Sequence, residues 1–256
     1  AQALIVMEFL TPHIILRNKL IAGEKVADLG DFCGTHCART AFRGSELSME
    51  SADKKSDVAL FAGNVKIPEI TEDLVFTAPY HYAKMNNHTP SLDGLVVERR
   101  GNVHLKYVVQ SMLMKFASNT ETMLHGDLHS GSTTATDSDI RIIDPEFAQY
   151  GPMGFDIGML TANYLIAYFS QPAHRGANLE DYQNWILSVI ADSFASFNSE
   201  FRNLWKNERS GMLYPKSLFE DQGHSSEVAC DATLKTIWQD ALKFCGIEMH
   251  RRCLSL

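Results

Sequence analysis

Two groups of acidic residues near the middle of the sequence have the types and spacing needed for chemistry at a hydroxyl group. Asp127 follows a short apolar run, and Asp144 follows another such run 17 positions later, with Glu146 two residues beyond it. A carboxylate that holds no metal can orient a hydroxyl and accept its proton. A second carboxylate is a hard oxygen ligand that suits Mg²⁺. The sequence therefore predicts that Asp127 is a base and that Asp144 and Glu146 hold a metal.

This layout is that of the catalytic and metal loops of kinases. In the kinase motif H-R-D-x-x-x-x-N the Asp accepts the proton of the attacking hydroxyl and the Asn holds metal, while the Asp of D-F-G binds Mg²⁺ on the nucleotide phosphates. Here His-Gly-Asp at 125–127 replaces H-R-D, and Asp-Pro-Glu at 144–146 replaces D-F-G. Ser132 occupies the position of the Asn and is a third, weaker candidate metal ligand, for which Glu146 compensates.

Other interpretations of these residues stay open at this point. His125 and His129 lie four residues apart and, with Asp127, could form a transition-metal site, although the neighbouring glycines oppose the helix that this spacing needs. Taken singly, Asp127 is also typical of a turn, and Asp144 is typical of a loop before proline.

Two further groups have structural interpretations. Asp156 stands near the start of a predicted helix, where it is either an N-cap or a buried anchor for the backbone around Asp127. Cys33 and Cys37 flank a histidine, but they lie in a predicted helix and no second Cys/His pair follows at zinc-finger spacing. We therefore interpret both cysteines as ordinary helix positions.

The elements that must position the acidic residues are mostly helices. Apolar residues recur at the 3.6-residue period over roughly 96–118, and strongly over 181–205. Between 121 and 147, short apolar pieces alternate with Gly, Ser, Thr and Asp, which is typical of brief strands carrying polar loops. The sequence predicts an α+β, mainly helical domain with a small β-insert at 121–147. The other predicted elements are a strand at 3–8 and helices at about 25–42, 51–63, 154–169 and 227–245, with Ser51 as an N-cap.

Composition narrows the class of protein. The chain has 256 residues, 45% of them hydrophobic, and 23 Lys+Arg against 31 Asp+Glu, for a net charge of −8. This balance disfavours nucleic acid as a partner, since phosphate backbones are bound by clustered Lys and Arg. No apolar run is long enough to span a membrane. Five cysteines in a chain with an ordinary core favour free thiols, and no signal peptide is recognisable, so we predict a cytoplasmic protein.

Longer stretches around the acidic residues resemble one family, the 5-methylthioribose kinases, which share a fold with aminoglycoside phosphotransferases and choline kinases. The matching stretches are Leu-His-Gly-Asp-Leu-His-Ser-Gly-Ser at 124–132, Ile-Asp-Pro-Glu-Phe-Ala at 143–148, Tyr-Gly-Pro-Met-Gly-Phe-Asp-Ile-Gly at 150–158, Ala-Tyr-Phe at 167–169 and Pro-His-Ile-Ile-Leu-Arg at 12–17. The family also has Ser at the position of Ser132. The resemblance implies the large lobe of a protein-kinase-like fold.

An activity follows from this resemblance. It implies transfer of a phosphoryl group from ATP to the 1-hydroxyl of 5-methylthioribose, a step of methionine salvage. Asp127 is then the catalytic base and a sugar-binding residue. Asp144 and Glu146 hold Mg²⁺ and, with Pro145, line the nucleotide phosphates. Members of the family tend to form homodimers, so a homodimer is expected here too.

The resemblance also assigns residues near the two ends of the chain. Glu8, Phe9 and Leu10 fall where the inter-lobe hinge of the family uses backbone groups to hold adenine. Arg251 and Arg252 resemble an arginine pair near the sugar site, where a guanidinium binds sugar hydroxyls or developing phosphate charge. The alternative for this pair, a solvated basic helix end, stays open.

One part of a kinase has no counterpart in this sequence, namely the small β-rich lobe with its glycine-rich loop and strand lysine. The resemblance places the last strand of that lobe and the hinge at 1–10, and the large lobe, truncated at its C-terminus, at 11–256. The lysine and the glycine-rich loop of the small lobe contribute several orders of magnitude to the rate of a kinase. Because they are missing here, a catalytically silent binding or scaffold domain is an alternative. A related small-molecule kinase acting on an aminoglycoside, choline or another sugar is a second alternative.

Overall fold

Helices make up most of the chain. The computed structural model describes residues 6–255, and the predicted fold class, α+β and mainly helical, is confirmed. Within these residues, no helix is both long and apolar enough to cross a membrane. The α-helices are α1 (Leu16–Ala22), α2 (Leu29–Arg43), α3 (Ser51–Phe61), α4 (Lys66–Phe76), α5 (Asp93–Gly101), α6 (Val103–Ser118), α7 (Phe155–His174), α8 (Leu179–Asn207) and α9 (Glu227–Leu254).

Two small antiparallel sheets hold the acidic segments, which we call the HGD loop (residues 125–132) and the DPE loop (residues 143–148). One sheet has the order β1-β3-β4, and the other pairs β2 with β5. The HGD loop joins β2 to β3, and the DPE loop joins β4 to β5. In the register, Leu124 pairs with Gln149 and Thr133 with Ile142, so each loop begins beside the end of the other. The strands are β1 (Ile14–Ile15), β2 (Thr122–Leu124), β3 (Thr133–Ala135), β4 (Ile140–Ile142) and β5 (Gln149–Gly151).

Helices α2 and α8 pack closely and form the centre of the core. Gly30 and Gly34, one turn apart on α2, face the α8 backbone, and a Cβ at residue 30 would lie only 2.6 Å from the carbonyl oxygen of Val189. The apolar face predicted on α8 is buried, with Phe197 and Phe201 fully enclosed. Each such side chain contributes about 2–3 kcal/mol through the burial of its apolar surface. The loops are therefore carried by a well-packed scaffold.

Some helix boundaries differ from the predicted ones. The predicted helix at 96–118 is two helices, because the Asn102 side chain accepts a hydrogen bond from the Leu105 N–H (2.9 Å) and caps α6. The prediction that Ser51 is an N-cap is wrong. Ser51 is the first residue of α3, Glu50 precedes it, and no side-chain hydrogen bond caps that helix.

Other differences concern the extent or existence of elements. Helix α2 begins at Leu29, after Asp28 in the left-handed region (φ 53°), and helix α9 continues to Leu254 instead of ending near residue 245. The sequence did not predict α1, α4 or β5. For the predicted strand at 3–8, residues 1–5 lie outside the described residues, and residues 6–10 have no regular secondary structure.

Candidate active site

The backbone at the start of the HGD loop is anchored by the buried carboxylate of Asp156, near the beginning of α7. One oxygen of Asp156 accepts a hydrogen bond from the His125 N–H (2.7 Å), and the other accepts one from the Gly126 N–H (3.1 Å). Burial raises the pKa of the Asp156 carboxyl above its usual value, against the opposing effects of His125 and of the two N–H donors. Of the two interpretations of Asp156, the structure shows the buried anchor.

Glycine is required at position 126 by the backbone conformation there and by the close contact with Phe147. Its φ is +83°, a region that residues with a Cβ rarely adopt. A Cβ at this position would also overlap the carbonyl oxygen of Phe147 in the DPE loop. The two loops are therefore in backbone contact at Gly126, which explains why glycine stands where the protein-kinase motif has arginine.

Both ring nitrogens of His125 are used inside the site. Nδ1 accepts a hydrogen bond from the Asp127 N–H (3.3 Å), and Nε2 donates to the carbonyl oxygen of Ile143 (2.8 Å). These partners assign the ring hydrogen to Nε2. Neither nitrogen is left for a metal, and within residues 6–255 no three or more His, Cys, Asp or Glu side chains are grouped as metal ligands. The transition-metal interpretation is therefore wrong for the described residues.

His129 orients the carboxylate of Asp127. Its Nδ1 accepts hydrogen bonds from the N–H groups of Gly131 (2.9 Å) and Ser132 (3.0 Å), which leaves the ring hydrogen on Nε2. Nε2 lies 3.3 Å from one carboxylate oxygen of Asp127. A Cβ at residue 131 would lie 2.6 Å from the His129 ring, so Gly131 lets the ring sit against the loop. The other carboxylate oxygen of Asp127 remains available to a hydroxyl.

The half-buried Asp127 carboxyl is a stabilised anion. Burial by itself raises its pKa, but the hydrogen bond from His129 and the positive charge of Arg251 outweigh burial, so the pKa lies below its usual value of 3.8. Asp127 is therefore ionised at neutral pH, in the state needed to accept a hydrogen bond from a substrate hydroxyl.

Ser132 has a role within the HGD loop itself. Its buried hydroxyl donates to the carbonyl oxygen of Asp127 (2.8 Å) and accepts from the N–H of His129 (2.9 Å). The side chain therefore closes the loop that presents Asp127. As a ligand of Mg²⁺, Ser132 stays a prediction, and its hydrogen is already committed to the loop.

The DPE loop presents two exposed carboxylates close together in sequence. Asp144 adopts the left-handed region (φ 65°), and Pro145–Phe147 form a single helical turn directly after it. Asp144, Pro145 and Glu146 are all exposed. Mg²⁺ is usually bound by one or two protein carboxylates together with phosphate oxygens and water. The donor set of the DPE loop fits such a shared site, in which Asp144 and Glu146 would be the protein ligands.

The arginine pair lies in the last turns of α9, where Arg251 is buried and Arg252 is half-buried. Arg251 makes two hydrogen bonds to Glu248 (both 2.6 Å), and Arg252 makes a third (3.0 Å). Glu248 is 0% exposed and Arg251 is 9% exposed. The alternative of a solvated basic helix end is therefore wrong for Arg251, whereas part of the Arg252 side chain remains in solvent. Sequence reasoning missed Glu248, although its spacing of three and four residues from the arginines on one helix was a usable signal.

A third arginine, Arg17, joins this pair beside the HGD loop. The backbone N–H of Arg17 donates to the carbonyl oxygen of Ser130 (2.9 Å). Its side chain also lies beside the loop, since Nη2 would be 2.9 Å from a Cβ at Gly131. Burial lowers the pKa of Arg252, and the charges of Arg251 and Arg17 contribute to that effect. Arg17 lies in the run at 12–17 that resembles the family, but the sequence indicated no role for it.

Two of these arginines, Arg17 and Arg252, border a cavity of about 260 Å³ between α1, α7 and the HGD loop. Its polar rim includes Arg17, Arg252 and Ser130, and its walls include the apolar side chains of Leu20 and Ile166. The cavity therefore has two arginines beside the HGD loop, and its other walls combine apolar with polar side chains.

The profile of the phosphotransferase enzyme family (APH) matches residues 3–188, which is most of the chain and includes both acidic loops. The chain belongs to this phosphotransferase family. The matched residues include Asp127, Asp144 and Glu146, the three carboxylates of the candidate site.

Curated relatives of this chain support the resemblance found in the motifs. Methylthioribose kinase of Escherichia coli O45:K1 (strain S88 / ExPEC) is 42% identical over 98% of this chain, Methylthioribose kinase 1 of Oryza sativa subsp. japonica is 37% identical over 100%, and Methylthioribose kinase of Citrobacter koseri is 34% identical over 99%. The chain spans 61% of the length of each of these relatives. Among solved structures, a glucosamine kinase in complex with glucosamine, ADP and inorganic phosphate is 14% identical, with a TM-score of 0.47, over 95% of this chain and 57% of that one.

The predicted adenine-binding residues lie before β1 in the chain. Glu8 and Phe9 are exposed, Leu10 is half-buried, and residues 6–10 have no regular secondary structure. The structure thus brings Asp127, the DPE loop and the arginines together around the HGD loop, and the adenine role of residues 8–10 stays a prediction.

Proposed function

We propose that this chain is the large lobe of a kinase that transfers a phosphoryl group from ATP to the 1-hydroxyl of 5-methylthioribose, giving the 1-phosphate and ADP. The observation that carries the proposal is the Asp127 carboxylate, which is oriented by His129 and stabilised by the charge of Arg251, in the same loop whose Ser130 lines the cavity with Arg17 and Arg252. The relatives named methylthioribose kinase, at 34–42% identity, support the same acceptor.

The mechanism assigns separate tasks to the two oxygens of Asp127. One oxygen stays hydrogen-bonded to His129, and the other receives the hydrogen bond of the sugar 1-hydroxyl and holds it in line with the γ-phosphorus. The pKa of Asp127 is low, which makes it a weak base. This suits phosphoryl transfer through a loose transition state, where positioning matters more than early proton removal. The proton moves to Asp127 as the new P–O bond forms.

In this proposal, the DPE loop binds the metal ion and the nucleotide phosphates. Asp144 and Glu146 would hold Mg²⁺, and Pro145 would line the nucleotide phosphates. The metal would supply positive charge at the phosphate oxygens. Residues 8–10 would hold adenine through backbone groups.

The charge of the cavity favours a neutral sugar over the alternative acceptors. Arg17, Arg251 and Arg252 lie near the HGD loop, and the carboxylate of Glu248 pairs with Arg251 and Arg252. At roughly 8 Å and an effective dielectric constant of about 20, one like-charge pair costs about 2 kcal/mol. An aminoglycoside or choline would meet this repulsion. A neutral sugar would not, and its growing phosphate charge would be attracted. The apolar walls suit a thioether substituent.

The test is ADP formation by the protein as encoded by its gene, with methylthioribose, ribose, glucosamine and choline as acceptors. We expect the highest kcat/KM with methylthioribose and loss of turnover in a folded Asp127→Asn variant. Higher kcat/KM with a cationic acceptor would assign the protein to another small-molecule kinase. Absence of both turnover and ATP binding would favour the catalytically silent scaffold.

The location of the protein in the cell and its oligomeric state are also part of what we propose. We propose a cytoplasmic enzyme, in keeping with its five free cysteines, four of which are buried. We also propose a homodimer. Light scattering on the purified protein measures the mass of the particle in solution, and the mass of one chain would contradict the homodimer.

A further inference from the structure

The carboxyl-terminal end of the DPE loop is held by a residue outside both acidic loops. Asn64 lies in the short connection between α3 and α4, and its Nδ2 donates to the carbonyl oxygens of Glu146 (2.9 Å) and Ala148 (3.1 Å). These oxygens flank Phe147, so a single amide group spans the turn that carries Glu146. The two hydrogens of one side-chain amide suffice for both bonds.

The DPE loop depends on such outside contacts for its shape. One backbone hydrogen bond, from the Ala148 N–H to the carbonyl oxygen of Pro145 (3.0 Å), closes its turn. Pro145 has no N–H to donate, and Asp144 is in the left-handed region, so the loop continues no regular element. The HGD loop holds the amino-terminal end of the DPE loop through Ile143. Asn64 holds the other end.

Asn64 is itself well placed by α3. Its N–H donates to the carbonyl oxygen of Phe61 (3.0 Å), the last residue of that helix. The Phe61 ring packs edge-on against Tyr150 of β5, with 6.3 Å between the ring centroids. Because β5 directly follows the DPE loop, the end of α3 and the end of the loop belong to one packed unit.

We propose that Asn64 is a positioning residue of the DPE loop, which sets the direction of the Glu146 carboxylate relative to Asp144 and thereby the affinity of the loop for a divalent cation. This inference rests on the proposed function, because the metal role of the two carboxylates is part of it. Asn64 touches neither metal nor substrate. Removing an outer partner of a metal ligand typically costs about 10- to 100-fold in metal affinity or activity, and we expect about tenfold here.

The variants are Asn64→Ala and Asn64→Asp. The first removes both hydrogen bonds. The second keeps the size of the side chain but places carboxylate oxygens opposite two carbonyl oxygens. Asn86→Ala is the matched control, because Asn86 also donates through Nδ2 to two carbonyl oxygens, those of Ala78 and His81 (both 2.8 Å), in a different loop.

Hydrogen exchange measured by mass spectrometry tests the positioning role directly. In both Asn64 variants, we expect at least fivefold faster exchange in peptides covering 143–149, with the melting temperature within a few degrees of the wild type. In Asn86→Ala, those peptides should exchange at the wild-type rate. Unchanged exchange over 143–149 in both Asn64 variants would overturn the proposal.

Binding of Mn²⁺ in the presence of ADP, followed by electron paramagnetic resonance, tests the consequence for the metal. We expect about tenfold weaker Mn²⁺ binding in Asn64→Ala than in the wild type. Equal affinities would overturn the link between Asn64 and the metal. Absence of Mn²⁺–ADP binding in the wild type would instead contradict the proposed function, and the exchange rates would still decide whether Asn64 positions the loop.

Discussion

The Nε2 atom of His125 donates a hydrogen bond to the carbonyl oxygen of Ile143 over 2.8 Å. Ile143 directly precedes Asp144, and the other nitrogen of the His125 ring accepts from the N–H of Asp127. One imidazole thus joins the backbone at Asp127 to the backbone next to Asp144. Displacement of either loop is transmitted to the other through this side chain.

Replacement of His125 should therefore affect both halves of the reaction. We expect His125→Ala to lower turnover about 10- to 100-fold and also to raise the Mg²⁺ concentration needed for half-maximal rate. Initial rates measured over a series of Mg²⁺ concentrations check this. His104→Ala is the control, since His104 is exposed on α6. A change in turnover with no change in Mg²⁺ dependence would contradict the coupling.

Gly126→Ala should destabilise the fold by about 2–3 kcal/mol, because a Cβ conflicts both with φ +83° and with the carbonyl oxygen of Phe147. Urea unfolding measures this free energy. Gly246→Ala is the matched control, since Gly246 lies inside α9 with open space around it, and it should stabilise by up to about 1 kcal/mol. Equal effects of the two substitutions would argue against the contact between the loops.

The lowered pKa of Asp127 predicts that the stability of the protein depends on pH. The folded-state pKa of Asp127 lies below its usual value of 3.8. Its ionised form therefore stabilises the fold fully above that value, and this contribution is lost as the pH falls through the folded-state pKa. The difference in urea midpoint between wild type and Asp127→Asn should be constant from pH 5 to 7 and should change below about pH 4. A difference independent of pH would contradict the assignment.

Arg17→Ala should weaken the use of the acceptor sugar and leave the binding of ATP unchanged. We expect kcat/KM for methylthioribose to fall about tenfold, because one donor to sugar or phosphate oxygens is lost, while KM for ATP stays within twofold. Discrimination against choline should also weaken. Arg43→Ala, which removes an exposed arginine paired with Glu208, is the control. An equal rise in both KM values would place Arg17 elsewhere in the reaction.

Glu248→Ala should destabilise the protein by about 3–5 kcal/mol, since it leaves Arg251 buried without its carboxylate. Glu208→Ala breaks the exposed pair with Arg43 and should cost less than about 1 kcal/mol. Thermal unfolding of both variants compares the two ion pairs. Similar melting temperatures would contradict the difference between the buried and exposed pairs.

Much of the site could be predicted from the sequence because its parts are short and local. Asp127, Asp144 and Glu146 lie in two motifs, and the brief strands around them were recognisable from their composition. The apolar face of α8 was equally clear, since a 3.6-residue period marks the buried side of a helix. The fold class followed from these signals.

The remaining features depend on contacts between distant parts of the chain. Asn64 and Glu146 are 82 positions apart, and no local pattern joins them. Arg17 meets the HGD loop only because β1 pairs with β3. The end of α9 was predicted too early, since its last turns are stabilised by the buried pairs of Glu248 with Arg251 and Arg252 and carry no marked apolar period.

By itself, the sequence determined which groups are present at the candidate site: three carboxylates in two short motifs, and an arginine pair. The tertiary structure alone decided the state and surroundings of those groups. It paired both arginines with the buried Glu248, oriented Asp127 through His129, and joined the two loops through His125. The physical reason is that residue type and short-range spacing specify donors and ligands, whereas burial, hydrogen-bond geometry and charge are set by which segments pack together.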